Sequence, residues 1–421
     1  MKMIRRFLSP ASLSIGFPWL CLFLFVISNA RGHPPNPNGS EPTLKELYEG
    51  HHWFALREAI GRTKAQSLYC GAVASAFNET REAEKDLTGI IHSAPKSEEA
   101  DQARYILANL YQRLGKYRSL VRQWDEMLNA KPDQPYLRSL RDFFALLPDQ
   151  SISHLKSSTV RAEISAGGIT IPALINGRAV NYILDTGFTT PTISESEARM
   201  LGLLIQDARA KGGDPSSGQF EMRAAVAATV AIGRSELRNV VFLVVSDSQP
   251  PMNILPPGKR GILGLPAIVP LRGIRWHKDG NMTIGYHLNK HEGDRQNICF
   301  DNILPVTRMR FQNIDLDFIL DTGNGSGTQL WSRFAREFTS LVGEQGVKAK
   351  KRWSEFQGSQ ERDALILPEL TFHVGGFDAV LRPANVFPEE NSLQHGCLGM
   401  DLLFQAKIVT IDFQSMILKL E

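Results

Sequence analysis

Residues 182–187 read Tyr-Ile-Leu-Asp-Thr-Gly, and residues 318–323 repeat the pattern as Phe-Ile-Leu-Asp-Thr-Gly. Further along, residues 261–264 read Gly-Ile-Leu-Gly and residues 396–399 read Gly-Cys-Leu-Gly. The first glycine follows the aspartate by 76 residues (261 − 185) in one copy and by 75 residues (396 − 321) in the other. Matched motifs at nearly equal spacing indicate that the same structural unit occurs twice in the chain.

The sequence around both copies is typical of short strands. From Ser157 onward, Val, Ile, Thr and Phe occur in short runs separated by Gly, Pro, Asn and Asp, which is the composition of strands joined by turns. A segment with hairpin character follows each Gly-x-x-Gly, at residues 274–286 and 408–420. We therefore predict two β lobes, at residues 160–290 and 300–421.

The residue types of the repeated motif favour acid–base chemistry. A buried apolar strand would carry Asp185 or Asp321 to the centre of the molecule, where two pseudo-symmetric lobes bring the carboxylates face to face. Two carboxylates so close share one proton. The ionised member can take a proton from a water molecule, and the protonated member can hydrogen-bond a scissile carbonyl oxygen. The threonine hydroxyl can satisfy backbone groups of the opposite copy, and glycine allows close backbone approach.

This duplicated motif resembles that of the aspartic peptidases, and most closely the retropepsin-like branch, with two copies fused in one chain. Residues 171–177 and 193–198, which flank the first motif, are similar to that branch as well. The resemblance implies an all-β bilobal acid-protease fold and cleavage of peptide bonds in extended polypeptides, without a metal or cofactor. It implies a catalytic pair, Asp185 and Asp321, with four supporting residues, namely Thr186, Gly187, Thr322 and Gly323.

Family members cover the cleft with a hairpin flap. Residues 211–218, with Gly212, Gly213 and Gly218, are the candidate flap and substrate-binding segment of copy one; the alternative is an ordinary exposed turn. Residues 353–360 are the equivalent of copy two. The basic run that precedes them, at residues 348–352, is predicted to be a solvated loop.

Two residues depart from the family pattern. Phe188 and Asn324 follow the Asp-Thr-Gly motifs, where the family usually has Ala, Ser or Thr. In pepsin-like members a hydroxyl there hydrogen-bonds the catalytic carboxylate, and the Phe188 side chain cannot do so. This leaves open an alternative function: a catalytically weak or inactive peptide-binding protein. A further alternative is an enzyme that becomes active only after its N-terminal helical segment is removed.

That segment, residues 43–150, shows helical periodicity and is rich in Ala, Leu, Glu, Arg and Lys. Pro95 and Pro132 each follow a similarly spaced apolar set and lie 37 residues apart (132 − 95), near the period of about 34 residues of tetratricopeptide repeats. The segment resembles a tetratricopeptide-like set of helical hairpins. It predicts either a concave surface for a protein partner or a helical spacer. The pair His51-His52 is predicted to be a surface feature.

The N-terminus predicts export. A basic start, an apolar run at residues 13–27 and small residues at 28–30 follow the order of a secretory signal peptide. We predict a signal peptide over residues 1–30, a linker over residues 31–42 and a secreted or periplasmic location. If the apolar run is retained, it anchors the chain in a membrane.

Composition excludes several classes of protein. The chain has 421 residues, 43% of them hydrophobic and 22% charged, with a net charge of +3. These values are those of a multidomain globular protein and give no basic excess of the kind a nucleic-acid binder shows. The four cysteines form no C-x-x-C pair, so no metal site is predicted. Whether Cys299 and Cys397 form a disulfide stays open. The predicted fold class is multidomain α + β, with helical hairpins before the β lobes.

Overall fold

The computed structural model describes most of the chain, namely residues 42–61, 68–207, 210–212, 220–289, 295–355, 358–390 and 392–421. The predicted signal peptide, nearly all of the predicted linker, and Gly213 and Gly218 of the predicted flap lie outside these residues. Within them, no helix has the length and apolar character needed to cross a membrane.

The described chain begins with α-helices that pack as hairpins, which we call the helical array. Thr43 and Glu46 form a capping box at the first helix, and the Ser97 hydroxyl accepts the backbone N–H of Ala100 at the fifth, so these helices begin where unpaired N–H groups find side-chain acceptors. The helices are α1 (Leu44–Glu49), α2 (Trp53–Ile60), α3 (Leu68–Ala76), α4 (Thr80–Ser93), α5 (Glu98–Arg113), α6 (Tyr117–Ala130) and α7 (Pro135–Phe144).

The helical array has an internal repeat of 37 residues. Both α4 and α6 have 14 residues, and their first residues, Thr80 and Tyr117, are 37 positions apart (117 − 80). The same offset separates the starts of α5 and α7, at Glu98 and Pro135 (135 − 98). This regularity agrees with the hairpin pattern predicted for residues 43–150. The tetratricopeptide assignment itself stays a prediction.

The first β lobe follows directly. Its strands are β1 (Ser151–His154), β2 (Ser158–Arg161), β3 (Glu163–Ser165), β4 (Gly168–Ile175), β5 (Arg178–Leu184), β6 (Thr192–Ser194), β7 (Ala210–Gly212), β8 (Phe220–Ile232), β9 (Ser235–Val245), β10 (Gly261–Leu263), β11 (Gly273–His277) and β12 (Asn281–Ile284). Short helices α8 (Glu195–Met200) and α9 (Leu265–Ile268) and a 3₁₀ helix (Val269–Leu271) lie between them.

The second lobe has a similar succession of elements. Its strands are β13 (Ile298–Asp301), β14 (Leu304–Phe311), β15 (Ile314–Leu320), β16 (Gln329–Trp331), β17 (Val347–Glu355), β18 (Gly358–Leu367), β19 (Leu370–Val374), β20 (Phe377–Leu381), β21 (Ala384–Phe387), β22 (Gly396–Leu398), β23 (Ile408–Asp412) and β24 (Ile417–Leu420). Its helices are α10 (Ser332–Glu337), α11 (Thr339–Gln345) and α12 (Met400–Leu403).

Each lobe is built on one main sheet. Lobe 1 has the strand order β1-β9-β6-β10-β5-β4-β8-β7, with β3 on β4, and β8 also pairs with β9. Lobe 2 has the order β17-β18-β21-β16-β22-β15-β14-β19-β20, with β13 on β14. In both, the strand before Asp-Thr-Gly runs parallel to the Gly-x-x-Gly strand: Ile183 is opposite Ile262, and Ile319 is opposite Cys397. The two copies therefore share one local topology.

A separate sheet joins the lobes. Its order is β2-β12-β11-β23-β24, and Ile274 of lobe 1 lies opposite Ile411 of lobe 2. The hairpins after both Gly-x-x-Gly segments thus pair with each other across the pseudo-two-fold. The predicted fold class is confirmed: multidomain α + β, with helical hairpins before an all-β bilobal region.

Two local interpretations were wrong. The basic run at residues 348–352 lies on strand β17 and not in a loop, although Lys348, Lys350 and Arg352 are exposed as predicted. His51 is not a free surface residue, because its Nδ1 lies 2.6 Å from Oδ1 of Asp301 in lobe 2. This partner is 250 positions away, so sequence spacing could not indicate it.

Candidate active site

The site forms where the two Asp-Thr-Gly segments meet. Asp185 follows β5, and its backbone N–H donates to the carbonyl of Leu263 on β10 at 3.0 Å. Asp321 follows β15 and donates in the same way to Leu398 on β22 at 3.1 Å. The Gly-x-x-Gly strands therefore hold the backbone in place where β5 and β15 end.

Two threonines connect the copies by reciprocal hydrogen bonds. The Thr186 hydroxyl donates to the Leu320 carbonyl at 2.6 Å and accepts the Thr322 N–H at 3.0 Å. The Thr322 hydroxyl donates to the Leu184 carbonyl at 2.8 Å and accepts the Thr186 N–H at 3.1 Å. Each hydroxyl thus satisfies two buried backbone groups of the opposite lobe, which holds the two loops in register.

The glycines bring the carboxyl groups together. Gly187 N–H donates to Asp185 Oδ1 and Gly323 N–H donates to Asp321 Oδ1, both at 2.8 Å. A Cβ atom on Gly187 would lie 2.6 Å from Asp321 Cγ, and one on Gly323 would overlap the Asp185 carboxylate. Only glycine leaves room for this approach, and the two carboxyl groups are close enough for each to shift the pKa of the other.

Burial of this pair changes its protonation. Asp185 is 2% exposed and Asp321 is 1% exposed. Burial raises the pKa of Asp185 to about 6. Burial, followed by the charge of Asp185 and the hydrogen bond to it, raises the pKa of Asp321 well above its ordinary range. The pair therefore retains a shared proton at neutral pH.

The residues after the motifs contribute through their backbones. The N–H groups of Phe188 and Asn324 donate to the backbone carbonyls of Asp185 at 3.4 Å and Asp321 at 3.3 Å, and they act to lower the pKa values of the two carboxyl groups. The Phe188 ring is buried, at 1% exposure, in an apolar cluster that includes residues of the helical array. The Asn324 amide donates to the Gly327 carbonyl at 3.0 Å. Neither side chain supplies the hydroxyl that pepsin-like members have here.

Cys397 also contacts the pair, and sequence reasoning missed it. Its Sγ lies 3.9 Å from Asp321 Oδ2 and accepts from Asn324 Nδ2 at 3.3 Å. The equivalent position in copy one is Ile262, so the difference between the two Gly-x-x-Gly motifs could have indicated it. Cys299 and Cys397, whose pairing the sequence left open, are both buried free thiols.

The structure has a β-hairpin at each of the two predicted flap segments. In lobe 1, Gly212 of β7 pairs with Phe220 of β8, and the hairpin tip lies outside the described residues. In lobe 2, β17 and β18 pair from Val347 opposite Ile366 to Glu355 opposite Gly358. Among the described side chains, no group of three His, Cys, Asp or Glu residues is arranged to hold a metal ion.

Comparison with known proteins bears on the first lobe. Residues 171–267, from β4 through the Asp185 motif into α9, match the family model described as Aspartyl protease. A retropepsin-like aspartic protease from Rickettsia conorii shares 18% sequence identity with a TM-score of 0.24, and the match covers 33% of this chain and 96% of that one. Comparison with curated proteins gives no match. The family match supports an aspartic protease fold and a protease-type function.

Proposed function

We propose that this chain is an exported aspartic endopeptidase that hydrolyses peptide bonds with a water molecule activated by Asp185 and Asp321. The observation that carries the proposal is the meeting of these two buried carboxyl groups, each packed against the glycine of the opposite copy of one motif. The reciprocal threonine bonds and the close glycine packing support it, because they hold both carboxylates in one geometry. Export rests on the predicted signal segment.

The charge of Asp185 raises the pKa of Asp321, which gives the two carboxyl groups separate roles. Asp185 is the ionised base, and Asp321 keeps the proton. Asp185 removes a proton from water as the water oxygen bonds to the scissile carbonyl carbon. Asp321 donates its hydrogen bond to the carbonyl oxygen, where negative charge develops. The tetrahedral intermediate then collapses, the C–N bond breaks, and the amide nitrogen leaves with a proton taken from the pair.

The proposed substrate is an extended polypeptide. An extended segment can pair its backbone with strand edges near the cleft, as in binding by strand addition. The β7–β8 and β17–β18 hairpins are the candidate flaps over such a segment. Gly212, at the end of β7, belongs to this proposed substrate-binding region, together with Gly213 and Gly218.

The alternative, an inactive peptide-binding protein, would require the Phe188 ring to crowd or dry a carboxylate. The Phe188 ring belongs to the apolar cluster, and its backbone N–H hydrogen-bonds Asp185. These two contacts favour the enzyme over the binding protein. The backbone N–H of Phe188 remains a hydrogen-bond donor to Asp185, and the Phe188 ring packs in the apolar cluster instead of in the cleft.

The test is the removal of one carboxylate by isosteric substitution. In Asp321→Asn and Asp185→Asn, cleavage of a denatured protein substrate is expected to fall by at least about 10²–10⁴-fold, because no pair remains to act as base and acid. Asp378→Asn, which changes an exposed aspartate of lobe 2 with 74% side-chain exposure, is the matched control. Undiminished cleavage by either dyad variant would refute the proposed function.

A further inference from the structure

The helical array and lobe 1 share one apolar core. The cluster that contains Leu107, Trp124 and Phe144 of the array also contains Met222 and Leu243 of the lobe 1 sheet. All five side chains are essentially buried. An interface between independently folded domains is more polar than this. The array therefore forms the second layer that covers an apolar face of lobe 1.

This shared core reaches the catalytic loop. Phe188 belongs to it and directly follows the Asp185 motif. Its backbone carbonyl accepts the N–H of Leu265 at 2.8 Å, at the start of α9. Gln150, which precedes β1, donates to the carbonyl of Pro266 in α9 and, through its backbone N–H, to that of Gly115 after α5. The loop, α9 and the array thus form one packed unit.

The base of the candidate flap belongs to the same core. Ala210 of β7 pairs with Met222 of β8, and both are buried members of the shared cluster. Helix α7 packs against β7. The array therefore supports both the catalytic loop and the base of the β7–β8 hairpin.

The array is also attached to lobe 2, by apolar packing of α2 and α3 against β13 and by polar contacts. The Arg113 guanidinium of α5 donates to the Asn302 carbonyl at 3.0 Å and lies 3.9 Å from the centre of the Phe300 ring. Asn109 Nδ2 donates to Asn302 Oδ1 at 3.2 Å. With the contact of His51 and Asp301, these bonds join the array to β13 and the turn after it. One helical unit thus contacts both lobes.

We infer that Phe188 is a positioning residue that fixes the Asp185 loop to the helical array, and that the array is a permanent part of the catalytic lobe. The inference rests on the proposed function for its catalytic part. It explains the departure from Ala, Ser or Thr after the first motif, because a large apolar side chain is needed to reach the array. It also means that the protease lobes occupy a face of the array, and that removing the array does not activate the enzyme.

The attachment can be tested without measuring activity. A cleavage sequence for a site-specific protease is inserted after Leu146, which is 57% exposed between α7 and β1. The folded full-length protein is then cut. The two fragments are expected to co-elute in size-exclusion chromatography and to separate only in denaturant. An array that dissociates while the remaining fragment stays folded, or gains activity, would overturn the inference.

The positioning role is tested by Phe188→Leu, with Phe144→Leu as the matched control. Phe144 belongs to the same core but packs within the array, against Tyr117 and Trp124. Both variants lose the same volume, so both should melt at lower temperature. Only Phe188→Leu should lower kcat, by about tenfold with KM changed less than about twofold, because a small displacement of a catalytic group reduces the rate. It should also move the acid limb of the pH profile.

Equal kinetic effects of the two variants, or none in Phe188→Leu, would contradict the positioning role. Phe188→Met, whose unbranched side chain reaches further than that of leucine, should restore part of kcat if the anchor is the cause. If the intact wild-type protein shows no substrate cleavage that depends on Asp185 and Asp321, only the proposed function is refuted. Co-elution of the cut fragments would in that case still support the permanent attachment of the array.

Discussion

At the scale of single residues, the site depends on groups that serve the opposite copy. Thr186 and Thr322 each bond the backbone across the pseudo-two-fold, and Gly187 and Gly323 each face the other copy's carboxylate. A change in one motif therefore disturbs the other. Conservative substitutions in one motif can therefore show which atoms stabilise the other motif.

Thr322→Val is expected to destabilise the protein by about 3 kcal/mol, because the Leu184 carbonyl and the Thr186 N–H would be buried without the hydroxyl partner. Thr322→Ser keeps the hydroxyl and should lose far less. Urea denaturation of both variants measures the difference. Equal losses would show that the methyl group, and not the hydroxyl, is responsible.

The pH dependence of activity follows from the protonation of the pair. As the pH falls through the raised pKa of Asp185, about 6, both carboxyl groups become protonated and the base is lost. We expect kcat/KM to fall by roughly tenfold for each pH unit below that value, and activity to persist at neutral pH. Initial rates measured from about pH 4 to pH 8 test this. A maximum near pH 4 would contradict it.

At the scale of elements, His51 joins the α1–α2 connection to strand β13. Burial acts to lower the pKa of His51, but the charge of Asp301 and the hydrogen bond to it outweigh this and raise it. The contact therefore stabilises the fold fully below the ordinary histidine pKa of 6.5, and this contribution is lost as the pH rises through the raised value.

His51→Gln is thus expected to cost roughly 1 kcal/mol at about pH 5.5 and less at about pH 8.5. The neighbouring His52 is the internal control, because burial lowers its pKa and its neutral form is favoured in the folded protein. His52→Gln should remove a penalty in acid instead of a benefit. Thermal unfolding at both pH values measures these changes, and parallel behaviour of the two variants would contradict the assignment.

Motifs with local spacing could be predicted from the sequence, and contacts between distant segments could not. The β5 and β15 strands, the Gly-x-x-Gly strands and both later hairpins follow from apolar runs and turn residues within short windows. The burial of Phe188 depends on helices more than forty positions away (188 − 144), and the partner of His51 lies in the other lobe. The basic run on β17 was predicted to be a loop because clustered lysines are typical of solvated segments. Exposed edge strands also carry lysine, so composition alone could not distinguish the two.

At the scale of the whole molecule, the buried pair of carboxyl groups lowers the stability of the folded protein at neutral pH. The pKa values of both Asp185 and Asp321 are raised, so the favourable contribution of their protonated forms is complete below about pH 4 and is lost as the pH rises through the folded values. At neutral pH, the unfolded chain would ionise both groups freely, which favours unfolding.

Asp321→Asn should therefore increase the free energy of unfolding at pH 7, by an amount on the order of 1–3 kcal/mol, although it strongly reduces cleavage. The gain should vanish near pH 4. Denaturant unfolding of the wild type and the variant at both pH values measures it. A variant that is less stable than the wild type at pH 7 would show that the buried pair does not destabilise the folded protein.

The helical array contacts lobe 1 through the core that contains Phe188 and contacts lobe 2 through the packing of α2 and α3 against β13, which has a consequence for how a polypeptide is recognised. In a symmetric homodimer of such lobes, the two ends of the cleft are identical, and a bound peptide contacts the same residues in either orientation. Here the helices pack against the two lobes through different residues, so the two lobes are not equivalent. In a protease of this build, a peptide and its reversed sequence encounter different surroundings, so the cleft itself distinguishes the N-terminal side of a bond from the C-terminal side.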